Sequence, residues 1–221
     1  MYKLGVIGGM GPLATVKFYD KVVLNTDAHN DNEHIDLVVL NHSTMPDRTR
    51  CIIEKKDLEF LNVIKKDLEI LDNIGVDCNT SHYFYDEFSK YTNLKIINMI
   101  EETILEIKKR GVKQVAVFGT IGTLNSKVYD KYAQKYGIEV KELSAEDKNS
   151  VMDIIYKIKE TNNLENKEFI EILNKYCDKD TIGIIACTEL SLLDICKSIN
   201  TIDALDVLVN KSIELSGAKI K

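Results

Sequence analysis

The sequence predicts an α/β protein of two similar, pseudo-symmetric lobes, each a mostly parallel sheet flanked by helices, with the functional site in the cleft between them. Two observations predict this fold. Short apolar runs of strand length alternate with helical patterns along the chain. A strand, a glycine turn, a helix and a later cysteine turn also occur once in each half, and an internal repeat predicts equivalent structural units.

The repeat is clearest at the two glycine turns. Residues 5–13 read GVIGGMGPL and residues 116–124 read AVFGTIGTL, so an offset of 111 positions aligns a valine, two glycines and a leucine. Cys78 and Cys187 continue the relation at an offset of 109 positions. Because these features recur in the same order, we expect the two cysteines to occupy equivalent places in the two lobes.

The predicted elements follow the same order in both halves. Pro12 suits the first position of a helix, because its missing N–H would lack a helical partner there anyway. The predicted strands are Lys3–Gly8, Ile35–Leu40, Lys113–Phe118, Gly137–Glu142 and Thr181–Ala186. The predicted helices are Pro12–Asn25, Asp57–Asn73, Met99–Gly111, one ending at Tyr136, Ser150–Glu160, Asn166–Tyr176 and Ile202–Gly217.

Length and composition limit the possible functions. The 221 residues are 44% hydrophobic, which is enough for two small lobes, and we expect residues 1–97 with 204–221 to form the N-terminal lobe and residues 98–203 the C-terminal lobe. A net charge of −6 without a dense basic cluster argues against nucleic acid as a partner. Without a long apolar run or a signal-peptide pattern, we expect a cytoplasmic protein that makes no membrane contact.

The first half is shorter than the second just before its cysteine. A full strand, Thr181–Ala186, leads into Cys187, whereas only residues 74–77 separate the preceding helix from Cys78. About five residues, roughly one strand, are therefore missing relative to the repeat. Either the strand is very short, or the helix ends early, or a segment of the chain is absent, and we favour the third explanation.

Both cysteines lie at the start of a helical pattern. Residues 78–82 read CNTSH and residues 187–190 read CTEL. Backbone N–H groups and the positive end of a helix dipole would favour the thiolate at such a junction. Two such cysteines suit chemistry that removes a proton from one face of a carbon and returns a proton to the other. The remaining cysteines, Cys51, Cys177 and Cys196, are expected to be reduced, buried hydrophobic side chains.

Two loops are candidates for binding an anion. Residues 9–14 fit the G-x-G-x-x-A pattern, so a nucleotide- or phosphate-binding oxidoreductase is one alternative. However, the next strand lacks the acidic residue that would hold a ribose, and the amides around Met10 and Gly11 suit a small carboxylate better. In the loop after the second strand, Arg48 can bind a carboxylate through two hydrogen bonds, the alternative being a solvated arginine.

Together these stretches resemble the cofactor-independent amino-acid racemases, and specifically the aspartate racemase branch of the aspartate/glutamate racemase superfamily. The resemblance spans essentially the whole chain and rests on residues 8–12, 46–49, 78–82, 122–123, 155–159 and 187–189. The glutamate racemases of cell-wall synthesis have Thr-His after the second cysteine. This chain has Thr188-Glu189, which favours the aspartate branch.

The resemblance implies a two-lobe fold, a homodimer, and catalysis without pyridoxal phosphate or any other cofactor. It makes Cys78 and Cys187 the two acid/base residues. It also implies that Arg48 and Lys159 bind the substrate carboxylates. Without the resemblance, the helical pattern around Lys159 predicts only a surface lysine. The residues that would help to hold the amino acid are Asn79, Thr80, Thr123 and Thr188.

The predicted reaction is the interconversion of L- and D-aspartate by proton transfer at Cα. One thiolate removes the proton while the opposite thiol protonates the other face, because a single base would tend to return the proton to the face it left. The alternatives are a glutamate or broad-specificity racemase and a non-catalytic amino-acid-binding relative. A metal site of Cys78, His82 and Cys187 is conceivable, but no other ligand spacing accompanies it.

Overall fold

The computed structural model describes residues 4–71, 74–76, 85–93 and 95–221, in which short strands alternate with helices. The strands are β1 (Leu4–Gly8), β2 (Leu37–Asn41), β3 (Ile74–Val76), β4 (Ile96–Ile97), β5 (Gln114–Phe118), β6 (Glu139–Lys141), β7 (Thr181–Ile185) and β8 (Thr201–Asp203). The helices are α1 (Pro12–Asn25), α2 (Arg48–Glu54), α3 (Asp57–Leu68), α4 (Tyr85–Phe88), α5 (Met99–Lys109), α6 (Ile121–Asn125), α7 (Val128–Tyr136), α8 (Ala145–Thr161), α9 (Lys167–Tyr176) and α10 (Ala204–Leu215).

The strands form two sheets of four strands with the same topology. One sheet has the order β2-β1-β3-β4 and the other the order β6-β5-β7-β8, and the strand pairings in both are parallel. Equivalent strands therefore occupy equivalent places, and the internal repeat of the sequence is also a repeat of the structure. The predicted two-lobe α/β fold is confirmed.

The inner strands are apolar because helices cover both faces of each sheet. Every residue of β1 and β7 is buried, as are the last four residues of β5. A parallel sheet that is covered on both faces requires such continuous apolar runs rather than alternation. The turns at the carboxyl ends of β1, β5 and β7 therefore follow strands that are packed on both faces.

Each closing helix packs against the sheet of the other half. In α5, Ile100, Ile104 and Ile107 are buried with apolar residues of β5, whereas in α10, Leu205 and Leu208 are buried with those of β1. Burial of each such side chain contributes about 1.5–3 kcal/mol. On this packing we propose the division into residues 1–97 with 204–221 and residues 98–203. None of the described helices is long and apolar enough to cross a bilayer.

Before Cys78, both the described helix and the described strand are short. Helix α3 ends at Leu68 rather than Asn73, because the Ile70 N–H bonds back to the Asp67 carbonyl in a closing turn. The strand β3 has three residues where β7 has five. Residues 72–73 and 77–84 on either side of β3 lie outside the described part of the chain, so the absent segment that we favoured stays a prediction.

Other boundaries differ where local interactions override the apolar pattern. The strand β8 lies where a helix from Ile202 is predicted, and Asp203 then caps α10 by accepting the Leu205 N–H at 2.9 Å. A strand of three residues is too short to show an alternation of apolar and polar residues in the sequence. Helix α8 begins before the predicted Ser150, because the Ser144 side chain accepts the Asp147 N–H at 3.1 Å. Lys127, with a φ of 51°, divides the helix predicted to end at Tyr136 into α6 and α7.

Candidate active site

The first glycine turn connects β1 to α1 in a fixed shape. Gly9 has a φ of +92°, a conformation that side chains disfavour, and it lies against the backbone of His42. The Gly9 N–H donates to Thr15 Oγ1 at 2.9 Å, and that hydroxyl donates in turn to the Gly11 carbonyl at 3.2 Å. The Gly9 amide is therefore used within the turn. Met10 and Gly11 stay the predicted anion-binding positions.

The second cysteine turn follows β7. The Leu190 and Ser191 N–H groups both donate to the Cys187 carbonyl, and residues Leu190–Leu192 form a single 3-10 turn. The longer helix that the pattern predicts after Cys187 is therefore absent from this segment. One short turn supplies little of the helix dipole on which the sequence argument for a thiolate rests.

The thiol of Cys187 is bound to a carboxylate two residues away. Cys187 Sγ donates to Glu189 Oε2 at 2.9 Å, and Thr188 Oγ1 approaches the same oxygen at 3.5 Å. The other oxygen, Glu189 Oε1, lies 3.7 Å from Lys159 Nζ on α8. Cys187, Thr188 and Glu189 are all buried.

These surroundings favour the thiol rather than the thiolate. Burial raises the pKa of Cys187 well above its usual value, and the Glu189 carboxylate raises it further, while Lys159 acts in the opposite direction. The expectation of a stabilised thiolate is therefore wrong for Cys187. The physical reason is that desolvation and a neighbouring negative charge disfavour the thiolate more strongly than the dipole of one short turn can stabilise it.

A cavity of about 280 Å³ lies between the first glycine turn and the second cysteine turn. Its size suits a small molecule, being near the lower limit of ligand pockets. A Cβ added at Gly11 would lie 3.0 Å from Glu189 Oε1, so the two turns are in close contact. The described residues that line the cavity are Gly9–Ala14 and Asp47 from the first half and Ile158, Lys159, Asn162, Glu189 and Leu192 from the second.

The charges of this lining complement a free amino acid. The described lining contains Lys159 and two carboxylates, Asp47 and Glu189. Asp47 also caps α2, since its side chain accepts the Arg50 N–H at 2.7 Å. A cation and carboxylates that line one small cavity can bind the carboxylate and the ammonium group of one amino acid.

The structure brings only some of the predicted site residues together. Met10, Gly11 and Lys159 line the cavity, although the Met10 side chain is buried in the core of the first sheet. Thr123 instead lines a separate cavity of about 40 Å³, and its hydroxyl lies 3.1 Å from Thr120 Oγ1. Outside the described part of the chain lie Cys78, Asn79, Thr80, His82 and the side chain of Arg48.

The remaining described cysteines occupy three different environments. Cys51 is buried, as predicted. Cys177 is partly buried, and burial raises its pKa to about 11. Cys196 is exposed, with Sγ 3.0 Å from Ser198 Oγ, so the prediction of a buried side chain is wrong there. Cys196 lies in an irregular segment, where no strand or helix carries it into a core.

Glu189 was not predicted from the sequence to contact a site residue. Its identity served only to distinguish two branches of a superfamily. A signal was present, because a carboxylate two residues after a cysteine in a tight turn can reach the thiol. Its pairing with Lys159, which is 30 positions earlier, could not be found in the same way.

Known proteins resemble this chain in sequence and structure. A family model described as Asp/Glu/hydantoin racemase matches residues 7–211. The structure of Picrophilus torridus aspartate racemase has a TM-score of 0.89 and 30% identity, covering 100% of this chain and 96% of that chain. The structure of an aspartate racemase homologue from Pyrococcus horikoshii OT3 has a TM-score of 0.82 and 24% identity, covering 98% of this chain and 100% of that chain. At this identity the similarity supports the fold alone.

A bacterial racemase has a similar sequence identity to this chain. The broad specificity amino-acid racemase RacX of Bacillus subtilis (strain 168) is 29% identical over 199 residues, covering 85% of this chain and 86% of that protein. The family match includes both glycine turns, both cysteine turns and the cavity between the sheets. The chain therefore belongs to the Asp/Glu/hydantoin racemase family.

Proposed function

We propose that the protein is a homodimeric racemase that interconverts L- and D-aspartate without pyridoxal phosphate, with Cys78 and Cys187 as the two acid/base residues. Amino-acid racemisation follows from the family, and the substrate and the residue roles are the proposed part. The observation that carries the proposal is the cavity between the two turns. Its wall includes the carboxylate that binds Cys187 Sγ.

The strand registers support an equivalent role for Cys78. In the first sheet, Ile7 pairs with Val76, and Cys78 is the second residue after that strand. In the second sheet, Phe118 pairs with Ile185, and Cys187 is again the second residue after the strand. Because the carboxyl ends of inner parallel strands form the site in such sheets, we expect both cysteines to lie at equivalent edges.

The reaction requires help because the Cα–H of an amino acid is a very weak acid beside a carboxylate. We propose that Lys159, Arg48 and the amides of Met10 and Gly11 bind the substrate carboxylates, so that the negative charge that grows on the enediolate meets fixed positive groups. Asn79, Thr80 and Thr188 would hold the rest of the molecule. One cysteine then removes the Cα proton and the other protonates the opposite face.

Aspartate is the first choice of substrate because the Picrophilus torridus aspartate racemase is 30% identical over the full length of this chain. A broad-specificity racemase is the second candidate, for which two observations speak. One is the resemblance to the Bacillus subtilis broad specificity racemase. The other is the described lining, which contains two carboxylates and therefore does not by itself select an acidic side chain.

A racemisation assay without added cofactor tests this proposal. We expect kcat/KM for aspartate to exceed that for glutamate by at least about tenfold, because one extra methylene in a fitted pocket costs about 1–3 kcal/mol. Chiral chromatography of L-aspartate, L-glutamate and L-alanine reactions measures the rates. Similar rates on all three would favour the broad-specificity candidate, and no conversion of any of them would contradict both.

A further inference from the structure

We propose that Glu189 is a positioning residue that keeps Cys187 protonated between turnovers, so that Cys187 starts each cycle as the proton donor. The inference rests on the proposed function, because it assigns a starting state to one of the two proposed acid/base residues. It adds a residue to which neither the family match nor the similar proteins assign a role. It also gives the proposed pair an order, since the other cysteine must then start as the base.

The geometry around the thiol carries this inference. The 2.9 Å contact joins Cys187 Sγ to Glu189 Oε2, and only the protonated sulfur can donate a hydrogen to an ionised carboxylate. Both residues belong to one short turn held by hydrogen bonds to the Cys187 carbonyl, so their separation is fixed by the backbone. Both side chains are buried, which makes the contact stronger than it would be in water.

A second contact keeps the carboxylate in place. Lys159 Nζ lies 3.7 Å from Glu189 Oε1, which leaves Oε2 directed at the sulfur. The close approach of Gly11 to Oε1 limits movement towards the first glycine turn. The contact with Lys159 and the close approach of Gly11 therefore hold the carboxylate beside the thiol.

Among the described residues, two charged groups act on the thiol from the elements around it. The Glu189 carboxylate, on the same turn, opposes ionisation of Cys187, whereas Lys159, on α8, favours ionisation, as does the backbone N–H of Glu189. Buried apolar side chains also pack in the same core as Cys187, including Phe118, Ile155 and Leu190. Burial among apolar groups also disfavours the thiolate, so it acts in the same direction as the carboxylate.

Both directions of the reaction are compatible with this starting state. In the forward direction Cys187 gives its proton to the substrate carbon while the opposite thiolate takes the Cα proton, so that Cys187 ends as the thiolate and the opposite cysteine as the thiol. The reverse direction starts from that state, and Cys187 then takes the Cα proton while the opposite thiol gives up its own. Between turnovers one proton passes through solvent from the opposite cysteine to Cys187, which restores the starting state with no net gain or loss of protons.

A direct measurement of the thiol is needed because turnover rates cannot separate the two directions. The L and D forms of an amino acid are equally stable in water, so kcat/KM must be equal for both. We therefore propose to follow the alkylation of Cys187 by iodoacetamide between pH 7 and 11, with mass spectrometry locating the modified cysteine. Since only the thiolate reacts, the midpoint of the rate profile reports ionisation of this sulfur.

In Glu189→Gln, the midpoint should fall by at least about one pH unit, which is roughly a tenfold faster alkylation at pH 8. The matched control is Glu139→Gln, a change of the same kind at an exposed position, which should leave the midpoint unaltered. Lys159→Met should shift the midpoint upwards, because it removes the cation that opposes Glu189. This second variant decides the matter if Glu189→Gln does not fold.

An unchanged midpoint in Glu189→Gln, or a shift to higher pH, would overturn the inference. A downward shift in Lys159→Met would do the same. These outcomes are independent of the proposed substrate, because alkylation is measured without turnover. Failure of the racemisation assay with an altered alkylation profile would instead contradict the proposed function and leave the assignment of Glu189 intact.

Discussion

Replacing Cys187 with alanine is expected to lower racemisation by about 1,000-fold or more while leaving the fold intact. A positioned acid or base contributes about 10²–10⁴-fold to a proton transfer, and alanine can neither donate nor accept the proton. The side chain is buried at the end of β7 and makes its polar contact with Glu189, so removal of one sulfur leaves a small cavity. Chiral chromatography of the aspartate reaction gives the rate, and circular dichroism checks the fold.

Cys196→Ala is the matched control, because Cys196 is an exposed cysteine that takes no part in the proposed site. This variant should racemise aspartate at the rate of the unaltered protein. The strand registers predict that Cys78→Ala is as defective as Cys187→Ala. Retention of more than about a tenth of the activity by either variant would contradict the proposed acid/base pair.

Replacing Gly9 with alanine is expected to destabilise the fold by about 3 kcal/mol or more. A Cβ at this position would lie 2.6 Å from the backbone N and carbonyl C of His42, which is closer than such atoms approach. The φ of +92° adds strain for any side chain. Relief would require β1 to move away from the loop after β2, and the first glycine turn would lose its shape. Urea unfolding measures the loss.

Gly111→Ala is the control that separates the two causes. Gly111 also has a positive φ, of +75°, but nothing lies within 4 Å of an added Cβ. In this variant the free energy of unfolding should fall only by the conformational contribution of the positive φ, about 1 kcal/mol. Equal losses in the two variants would show that the contact with His42 does not fix the turn.

Much of the fold was accessible from the sequence because the strongest signals are local or repeated. The apolar runs of β1, β5 and β7 are long enough to identify. The repeat then predicts two equivalent sheets, even though no single segment specifies their order. The strands β4 and β8 have only two and three residues, and their pairing depends on neighbours that are distant in the chain.

The site was predicted less completely because its chemistry depends on contacts between distant segments. Cys187 and Lys159 were identified from their motifs, and Lys159 does line the cavity. The protonation of Cys187 was predicted in the wrong direction, since burial depends on residues such as Phe118 and Ile155 that come from other elements. The Lys159–Glu189 contact arises only when α8 and the turn after β7 come together.

The most direct test of the two-base account is an isotope measurement during the first few per cent of conversion of L-aspartate in D₂O. Mass spectrometry of the separated enantiomers shows where deuterium enters. Two opposed cysteines predict that the D-aspartate formed carries deuterium at Cα, because its proton comes from the second, solvent-exchanged thiol, while the remaining L-aspartate keeps its hydrogen. D-aspartate that retains the original hydrogen would contradict the account, because that hydrogen could only have been moved by a single base.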